Sequence, residues 1–192
     1  GLERAEQFEA ICDELTEAGY VRIGLDHFAH PDDAMAKAAA TGELHRNFQG
    51  YTTDPADALI GLGTTAIGSM PEGYAQNHPH MSDYRRAVLA GELPVAKGRP
   101  VTKDDLARRL IIERIMCAGA VDLDEVAREA GLSVDALAPN RERLAPLVAD
   151  GVVATDGVHF EVPREHWSLL RLAAAAFDTY LDTGADRHSR AV

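Results

Sequence analysis

The stretch VVATDGVHFEV, residues 152–162, predicts a β-hairpin and indicates the fold of the second half of the chain. Two runs rich in β-branched residues flank Asp156-Gly157, a dipeptide that favours the tight turn between antiparallel strands. Three helical patterns precede this hairpin and one follows it. Three helices followed by a hairpin is the order of a winged-helix domain, so we expect a mostly helical, winged-helix-like domain over residues 102–192.

The helices before the hairpin are predicted from their ends and from their apolar faces. The first begins at Thr102, where Asp105 completes a capping pattern. The second covers Leu123–Ala130 and ends at Gly131. The third pattern starts at Ser133 and is broken or restarted by two prolines before residue 151. After the hairpin, a closing helix is expected to pack through its apolar residues, which are Trp167, Leu170, Ala174 and Phe177.

The first half of the chain looks like part of an α/β domain. An amphipathic pattern predicts a helix over residues 2–18, Gly19 ends it, and the run 20–25 predicts a buried strand. Helix, tight turn and buried strand form the second half of a β/α repeat, so we expect a parallel strand here. A second helix is predicted over 34–40, and the apolar run 58–67 predicts one more strand or a buried loop.

The predicted domains are therefore residues 1–90, which have α/β character, and residues 102–192. Between them, Gly91, Pro94, Gly98 and Pro100 fall within ten residues, which is typical of a linker. We assign the linker to residues 91–101. The fold class is thus α/β plus α.

Composition limits the range of functions. The 192 residues are 46% hydrophobic and 26% charged, as in globular proteins, and the net charge of −12 disfavours nucleic-acid and anionic-membrane binding. No apolar segment reaches bilayer length and no basic-then-apolar leader opens the chain, so we expect a cytoplasmic protein with no membrane partner. Cys12 and Cys117 lie in apolar, helix-like settings and are expected to be buried structural thiols.

Several strings resemble the oxygen-independent coproporphyrinogen III oxidases, also called coproporphyrinogen dehydrogenases, of the radical S-adenosylmethionine family. The most specific is LHRNFQGYTT at 44–53, an unpatterned mixture that is improbable by chance. It is accompanied by IGLDHFA at 23–29, PDD at 31–33, YAQN at 74–77, LAPL at 144–147 and FDTYL at 177–181. The resemblance covers nearly the whole chain.

The resemblance implies an activity and its cofactors. Family members decarboxylate two propionate side chains of coproporphyrinogen III oxidatively to vinyl groups, giving protoporphyrinogen IX in haem biosynthesis. A radical from reductive cleavage of S-adenosylmethionine abstracts hydrogen from the propionate β-carbon, and the protein positions the reactants and excludes water. A reduced flavodoxin-like protein is the implied electron donor.

Family members are similar in fold, an incomplete β/α barrel followed by a largely helical C-terminal domain, so the resemblance implies that residues 1–90 are the C-terminal part of a radical SAM barrel. They are more than twice as long as this chain, and their [4Fe–4S] cluster is held by a C-x3-C-x2-C motif in the N-terminal part of the barrel. Two cysteines 105 positions apart cannot replace three thiolates. We therefore expect the cluster ligands, and any metal site, to be absent from this chain. We also expect this C-terminal part to be inactive by itself.

The resemblance also implies three cofactor-binding residues. Gln49 and Ile67 correspond to contacts of a second S-adenosylmethionine, and Phe48 is adjacent. An amide and apolar walls suit an adenosyl group. Asp26 and His27 end the predicted strand, but a hydrogen-bonded structural pair explains them equally well. No residue is assigned a catalytic role.

Two other functions compete with the oxidase. A related haem chaperone of the same radical family shares the barrel but resembles this chain less at 44–53. A winged-helix DNA-binding module is the third hypothesis. Residues 102–163 carry seven Lys or Arg against twelve Asp or Glu, a net charge of −5, which disfavours DNA binding.

Overall fold

A computed structural model of the protein describes residues 2–181. The chain divides into two compact units. The first consists of Gly1–Thr53 together with Ala107–Val192, and the second is Asp54–Leu106. This division differs from the predicted domains 1–90 and 102–192, because residues up to 53 pack with the second half of the chain.

The first unit begins with helix α1, two short hairpins and helix α2. Its elements are α1 (Leu2–Glu17), β1 (Val21–Ile23), β2 (His27–Ala29), α2 (Ala34–Thr41), β3 (His45–Asn47) and β4 (Gly50–Thr52). α1 and α2 lie within a residue of their predicted bounds. Asp33 caps α2, since its side chain accepts a hydrogen bond from the Met35 N–H.

The second unit is built on a three-stranded sheet of order β5-β6-β7. Its elements are β5 (Ile67–Met70), β6 (Gly73–Asn77), α3 (Met81–Leu89) and β7 (Val95–Pro100). Residues 58–66 form a loop attached by a bridge between Leu59 and Ser69. Ile60 and Leu62 are exposed, so the expectation of a buried segment here was wrong.

The remaining elements belong to the first unit, except that residues 103–106, the start of the first of them, belong to the second. They are α4 (Lys103–Ala118), β8 (Ala120–Asp122), α5 (Leu123–Ala130), a 3₁₀ helix (Val134–Leu137), α6 (Arg141–Ala149), β9 (Ala154–Thr155), β10 (His159–Glu161), a second 3₁₀ helix (Arg164–Leu169) and α7 (Leu170–Ala175). The predicted hairpin is confirmed as β9 and β10, although its strands are shorter than predicted. β10 also pairs with β8 to give a sheet of order β8-β10-β9.

The parallel strand predicted at 20–25 is corrected. Every strand pair among the described residues is antiparallel, and β1 pairs with β2. The chain reverses at Gly24, whose φ of 56° lies in the left-handed region. A side chain at this position would also collide with the Tyr51 ring. The described residues contain no closed barrel.

The linker predicted at 91–101 is also corrected, because residues 95–100 form β7. This strand lies at the edge of its sheet, with Gly98 opposite Ala75 and Pro100 opposite Gly73 at its end. Edge strands and strand ends tolerate proline, which has no N–H to donate to a neighbouring strand. The glycines and prolines therefore mark an edge strand.

Two apolar clusters hold the first unit together. The larger one joins α4, α5, the β8-β10-β9 sheet and α7, and includes Ile111, Leu137, Phe160 and Phe177. The smaller one joins β1, α2 and Tyr51 to Cys117 of α4. Helix α4 contributes to both clusters, with Ile111 in the larger and Cys117 in the smaller. Leu25, which follows β1, also belongs to the larger cluster.

Among the described helices, none combines the length and the apolar character that crossing a bilayer requires.

Candidate functional site

The most specific of the resembling strings folds as a hairpin of β3 and β4. Asn47 lies opposite Gly50, which leaves Phe48 and Gln49 as the two-residue loop. The Asn47 Oδ1 accepts a hydrogen bond from the Gln49 N–H at 2.8 Å, an Asx turn that fixes the loop. Phe48 is 55% exposed and Gln49 is also exposed. The hairpin therefore presents an aromatic ring and an amide to its surroundings.

Tyr51 connects this hairpin to backbone groups in both sequence segments of the first unit. Its ring is buried, its hydroxyl accepts from the Leu25 N–H at 2.9 Å, and it donates to the Met116 carbonyl at 2.9 Å. Burial raises the pKa of Tyr51, which keeps the hydroxyl protonated and able to donate. One phenol thus joins the turn after β1, the hairpin and α4.

His45 makes a second connection from the hairpin to α4. Its Nδ1 lies 2.9 Å from Oε1 of Glu113, whose side chain is 19% exposed. A carboxylate can only accept, so the imidazole nitrogen donates. The two connections fix the hairpin to α4 and restrict how its loop can be oriented.

Asp26 and His27 stand beside the hairpin as a hydrogen-bonded pair. His27 Nδ1 lies 2.9 Å from Asp26 Oδ1, and the imidazole ring meets the Tyr51 ring edge to face, with 5.0 Å between centroids. A Cβ atom at position 50 would lie only 3.3 Å from His27 Nε2, so Gly50 lets the imidazole pack closely against the hairpin. The hydrogen-bonded pair predicted here is thus present. We call residues 45–52, with Asp26 and His27, the hairpin site.

Arg46 contributes a positive charge to the hairpin site. Its guanidinium carbon lies 5.6 Å from the centroid of the Tyr51 ring, which is cation–π distance. Its Nε is buried and has no hydrogen-bond partner among the described residues. The site therefore combines an exposed ring and amide with a partly desolvated cation.

Ile67, the third residue assigned to the cofactor, opens β5 in the second unit. It is half-buried and pairs with Gln76 of β6. Gln76 Nε2 donates to the Thr65 carbonyl at 3.0 Å, which closes the end of this strand pair. Phe48 and Gln49 are thus brought together in one loop, and Ile67 is placed on a separate sheet.

The two cysteines do not form a metal site. Both are buried, as predicted. Burial raises the pKa of Cys117 to about 12, with Glu113 raising it further and Arg46 opposing, and burial also raises the pKa of Cys12. A thiolate ligand needs the opposite shift. No group of three or more His, Cys, Asp or Glu suited to a metal occurs in residues 2–181, so the residues present do not fit an iron–sulfur cluster.

Comparison with known proteins agrees with this geometry. Residues 101–169 match the model of the HemN C-terminal domain. The full chain is 48% identical to the oxygen-independent coproporphyrinogen III oxidase of Bradyrhizobium diazoefficiens, of which it covers 43%. It is 40% identical over 99% of its length to the Synechocystis protein of the same name, of which it covers 42%.

A solved structure gives the same result. Coproporphyrinogen III oxidase (HemN) from Escherichia coli, described as a radical SAM enzyme, superposes with a TM-score of 0.83 at 37% identity. The match covers 90% of this chain and 40% of that structure. Residues 101–169 are therefore similar to a HemN C-terminal domain. Over its whole length the chain is homologous to the C-terminal part of the oxygen-independent coproporphyrinogen III oxidases, and it spans less than half of these relatives.

Phe48 and Gln49 stay predicted cofactor contacts, and the residues that support their loop were not predicted. The resemblance predicted Phe48 and Gln49, whereas nothing in the sequence predicted the contacts of Tyr51, which lie 26 and 65 residues away. The pair of His45 and Glu113 is separated by 68 residues and was missed for the same reason. The available signal was the resemblance itself, since His45 and Tyr51 belong to its most specific string.

Proposed function

We propose that this chain is the C-terminal part of an oxygen-independent coproporphyrinogen III oxidase, an oxidoreductase of haem biosynthesis that converts coproporphyrinogen III to protoporphyrinogen IX. The observation that carries the proposal is the Phe48-Gln49 loop, held by an Asx turn and by the Tyr51 hydroxyl. These residues belong to the string with the most specific resemblance, and the named relatives are oxidases.

In this proposal the hairpin loop contacts a second S-adenosylmethionine, the ligand to which the resemblance also assigns Ile67. Phe48 offers an aromatic face, Gln49 an amide with both donor and acceptor, and Ile67 an apolar side chain, which suit an adenosyl group. S-adenosylmethionine supplies, when bound at a reduced [4Fe–4S] cluster, the radical that oxidises the propionate. The cluster ligands have to come from outside this chain, because the cysteines here do not fit that role.

The finer features of the fold belong to the same proposal. We interpret the first 90 residues as the end of a radical SAM barrel. The order of α4, α5 and α6 before the β9-β10 hairpin, with β8 in the same sheet, supports a winged-helix-like C-terminal domain. We also propose a cytoplasmic location and a flavodoxin-like electron donor, because a reduced cluster requires a reducing compartment.

The two competing functions have less support. The two relatives named above are both oxidases, which disfavours a haem chaperone. The acidic charge of residues 102–163 disfavours a DNA-binding module.

The test is the substitution Gln49→Ala in the full-length protein that contains this chain. A polar ligand contact of this kind contributes about 1–3 kcal/mol, so we expect turnover of coproporphyrinogen III to fall roughly tenfold to a hundredfold. Iron and sulfide content should not change, since Gln49 is no cluster ligand. Gln7→Ala, at an exposed glutamine of α1, is the matched control and should retain full turnover.

Two results would count against the proposal. Failure of the unmodified full-length protein to form protoporphyrinogen IX would remove the oxidase function. Unchanged kinetics in the Gln49→Ala variant would leave the function in place but return Gln49 to a structural role in the loop.

A further inference from the structure

The guanidinium of Arg46 lacks the compensation that a partly buried charge requires. Its Nε is buried without an acceptor, and neither a hydrogen bond nor an ion pair of its guanidinium occurs among the described residues. The contact with the Tyr51 ring at 5.6 Å compensates only part of the charge. A cation whose inner nitrogen is buried gains most from an anion or several acceptors that meet its terminal nitrogens.

Arginines elsewhere in the first unit show the usual solution. Arg114 meets Glu129 at 2.6 Å and Glu125 at 3.5 Å. Arg22 also has a buried Nε without a partner, but its Nη2 donates to the Leu25 carbonyl at 2.9 Å. Arg46 differs from both because its charged group has no oxygen partner in the part of the chain that the structure describes.

Two carboxylates near the hairpin are each hydrogen-bonded to a histidine. Glu113 and Arg46 both act on the pKa of Cys117, so both lie near that thiol, but the carboxylate of Glu113 is hydrogen-bonded to His45. Asp26 and Arg46 likewise both act on the pKa of Tyr51, and Asp26 is hydrogen-bonded to His27. Neither carboxylate makes an ion pair with Arg46 in the described part of the chain.

The position of Arg46 points to a ligand. It precedes the Phe48-Gln49 loop by two residues and shares the face of the hairpin with Tyr51, directly opposite in the strand register. The planar guanidinium matches a carboxylate with two parallel N–H donors, and stacking on an aromatic ring pre-orients it. A carboxylate bound here would meet the two terminal nitrogens, which have no partner among the described residues and, unlike Nε, are not among the buried atoms.

We propose that Arg46 binds a carboxylate of the ligand that occupies the hairpin site. The identity of that ligand rests on the proposed function, which supplies two sources of a carboxylate. One is a propionate of coproporphyrinogen III and the other is the methionyl carboxylate of S-adenosylmethionine. The role of Arg46 is ligand binding, so its loss acts on KM more than on kcat.

The experiment compares Arg46→Gln and Arg46→Lys with the unmodified full-length protein. Loss of a charge-assisted contact is expected to raise the KM for one of the two ligands about tenfold to a hundredfold, with kcat changed by much less. The Arg46→Lys variant keeps the charge without the two-donor geometry and should fall between. Arg86→Gln, which removes an exposed arginine paired with Asp83, is the control and should leave both KM values unchanged.

The two arms identify the source of the carboxylate. A raised KM for coproporphyrinogen III alone assigns Arg46 to a propionate. A raised KM for S-adenosylmethionine assigns it to the methionyl carboxylate, and binding of the decarboxylated analogue should then be insensitive to the substitution.

The proposal is overturned if a folded Arg46 variant, with glutamine or with lysine, shows unchanged KM values for both ligands. A variant that unfolds at a lower temperature but has unchanged KM values would also overturn the proposal. That result would show that Arg46 stabilises the fold and does not bind a ligand. Conversion of coproporphyrinogen III by the unmodified protein is measured first, so a failure of the proposed function is recognised separately.

Discussion

A single hydroxyl group connects three segments of the first unit. The Tyr51 phenol accepts a hydrogen bond from one backbone group and donates to another, and both partners are distant in sequence. Neither bond is accessible to water, since Tyr51 is buried. Removing the oxygen leaves a buried N–H and a buried carbonyl unpaired, which is unfavourable for each.

The first prediction follows from this bond pair. Tyr51→Phe should lower the free energy of unfolding of the chain by about 2–4 kcal/mol, because two buried backbone groups lose their partner. Denaturant-induced unfolding followed by circular dichroism measures the change. Tyr20→Phe, at a tyrosine that is 41% exposed, should change stability by less than about 0.5 kcal/mol. Equal effects of the two substitutions would show that the Tyr51 hydroxyl does not stabilise the fold.

At the scale of elements, the β9-β10 hairpin depends on the carboxylate in its loop. Asp156 Oδ1 accepts from the Val158 N–H at 2.9 Å and from the His159 N–H at 2.8 Å. These two bonds, with His159 contributing most, hold the pKa of Asp156 below its ordinary value. Protonation of this side chain therefore weakens the loop.

A pH dependence follows, and its sign is fixed by the direction of the shift. A carboxyl whose folded pKa is lowered stabilises the fold above its unfolded pKa, about 4, and this contribution is lost as the pH falls through the folded value. We expect Asp156→Asn to reduce the acid sensitivity of unfolding, because an amide oxygen can still accept but does not titrate. Unfolding measured between neutral pH and about pH 2 tests this. Asp150→Asn serves as the control, and an equal reduction there would contradict the assignment.

Local signals predicted α1, α2, α4 and α5, but α3 (Met81–Leu89) was not predicted. The predicted cap at Thr102 is present, since its N–H donates to Asp105 and its hydroxyl accepts from the Asp105 N–H. Such signals lie within one helical turn. Whether the strand at 21–23 pairs parallel or antiparallel depends instead on the turn at Gly24, whose conformation no periodicity indicates.

The candidate site shows the same contrast. Phe48 and Gln49 were predicted because a whole string resembled a family, whereas the unpaired charge of Arg46 is visible only when its neighbours are placed in space. In sequence, Arg46 is one of 19 Lys and Arg residues, and although it lies in the string that resembles the family, nothing in that string indicates that its charge lacks a partner.

For the whole molecule, the chemistry of the cysteines leads to a prediction about iron. We expect this chain, incubated with iron, sulfide and reductant, to form no stable [4Fe–4S] cluster and to convert no coproporphyrinogen III. The two cysteines are buried, and both have raised pKa values. Absorbance and bound iron are the measurements, with the double variant Cys12→Ala, Cys117→Ala as background. Stoichiometric cluster above that background, or any protoporphyrinogen, would contradict the expectation.

The charge of the second half leads to a prediction about DNA. The helix before the hairpin, α6, has nine residues, contains Pro146 and carries Glu142 beside Arg141 and Arg143. Leu144 and Leu147 of this helix pack on the larger apolar cluster. With a net charge of −5 over residues 102–163, we expect no micromolar binding in a low-salt mobility shift with mixed duplex DNA. Salt-sensitive micromolar binding would favour the nucleic-acid function.

The hydrogen bond from Tyr51 to Met116 also has a consequence during synthesis on the ribosome. Its two residues are 65 positions apart, so the hairpin leaves the ribosome well before the helix that receives it. At roughly 5–20 residues per second, the delay is about 3 to 13 seconds. During that interval the segment up to residue 53 has no α4 to pack on, and its apolar side chains are available to chaperones.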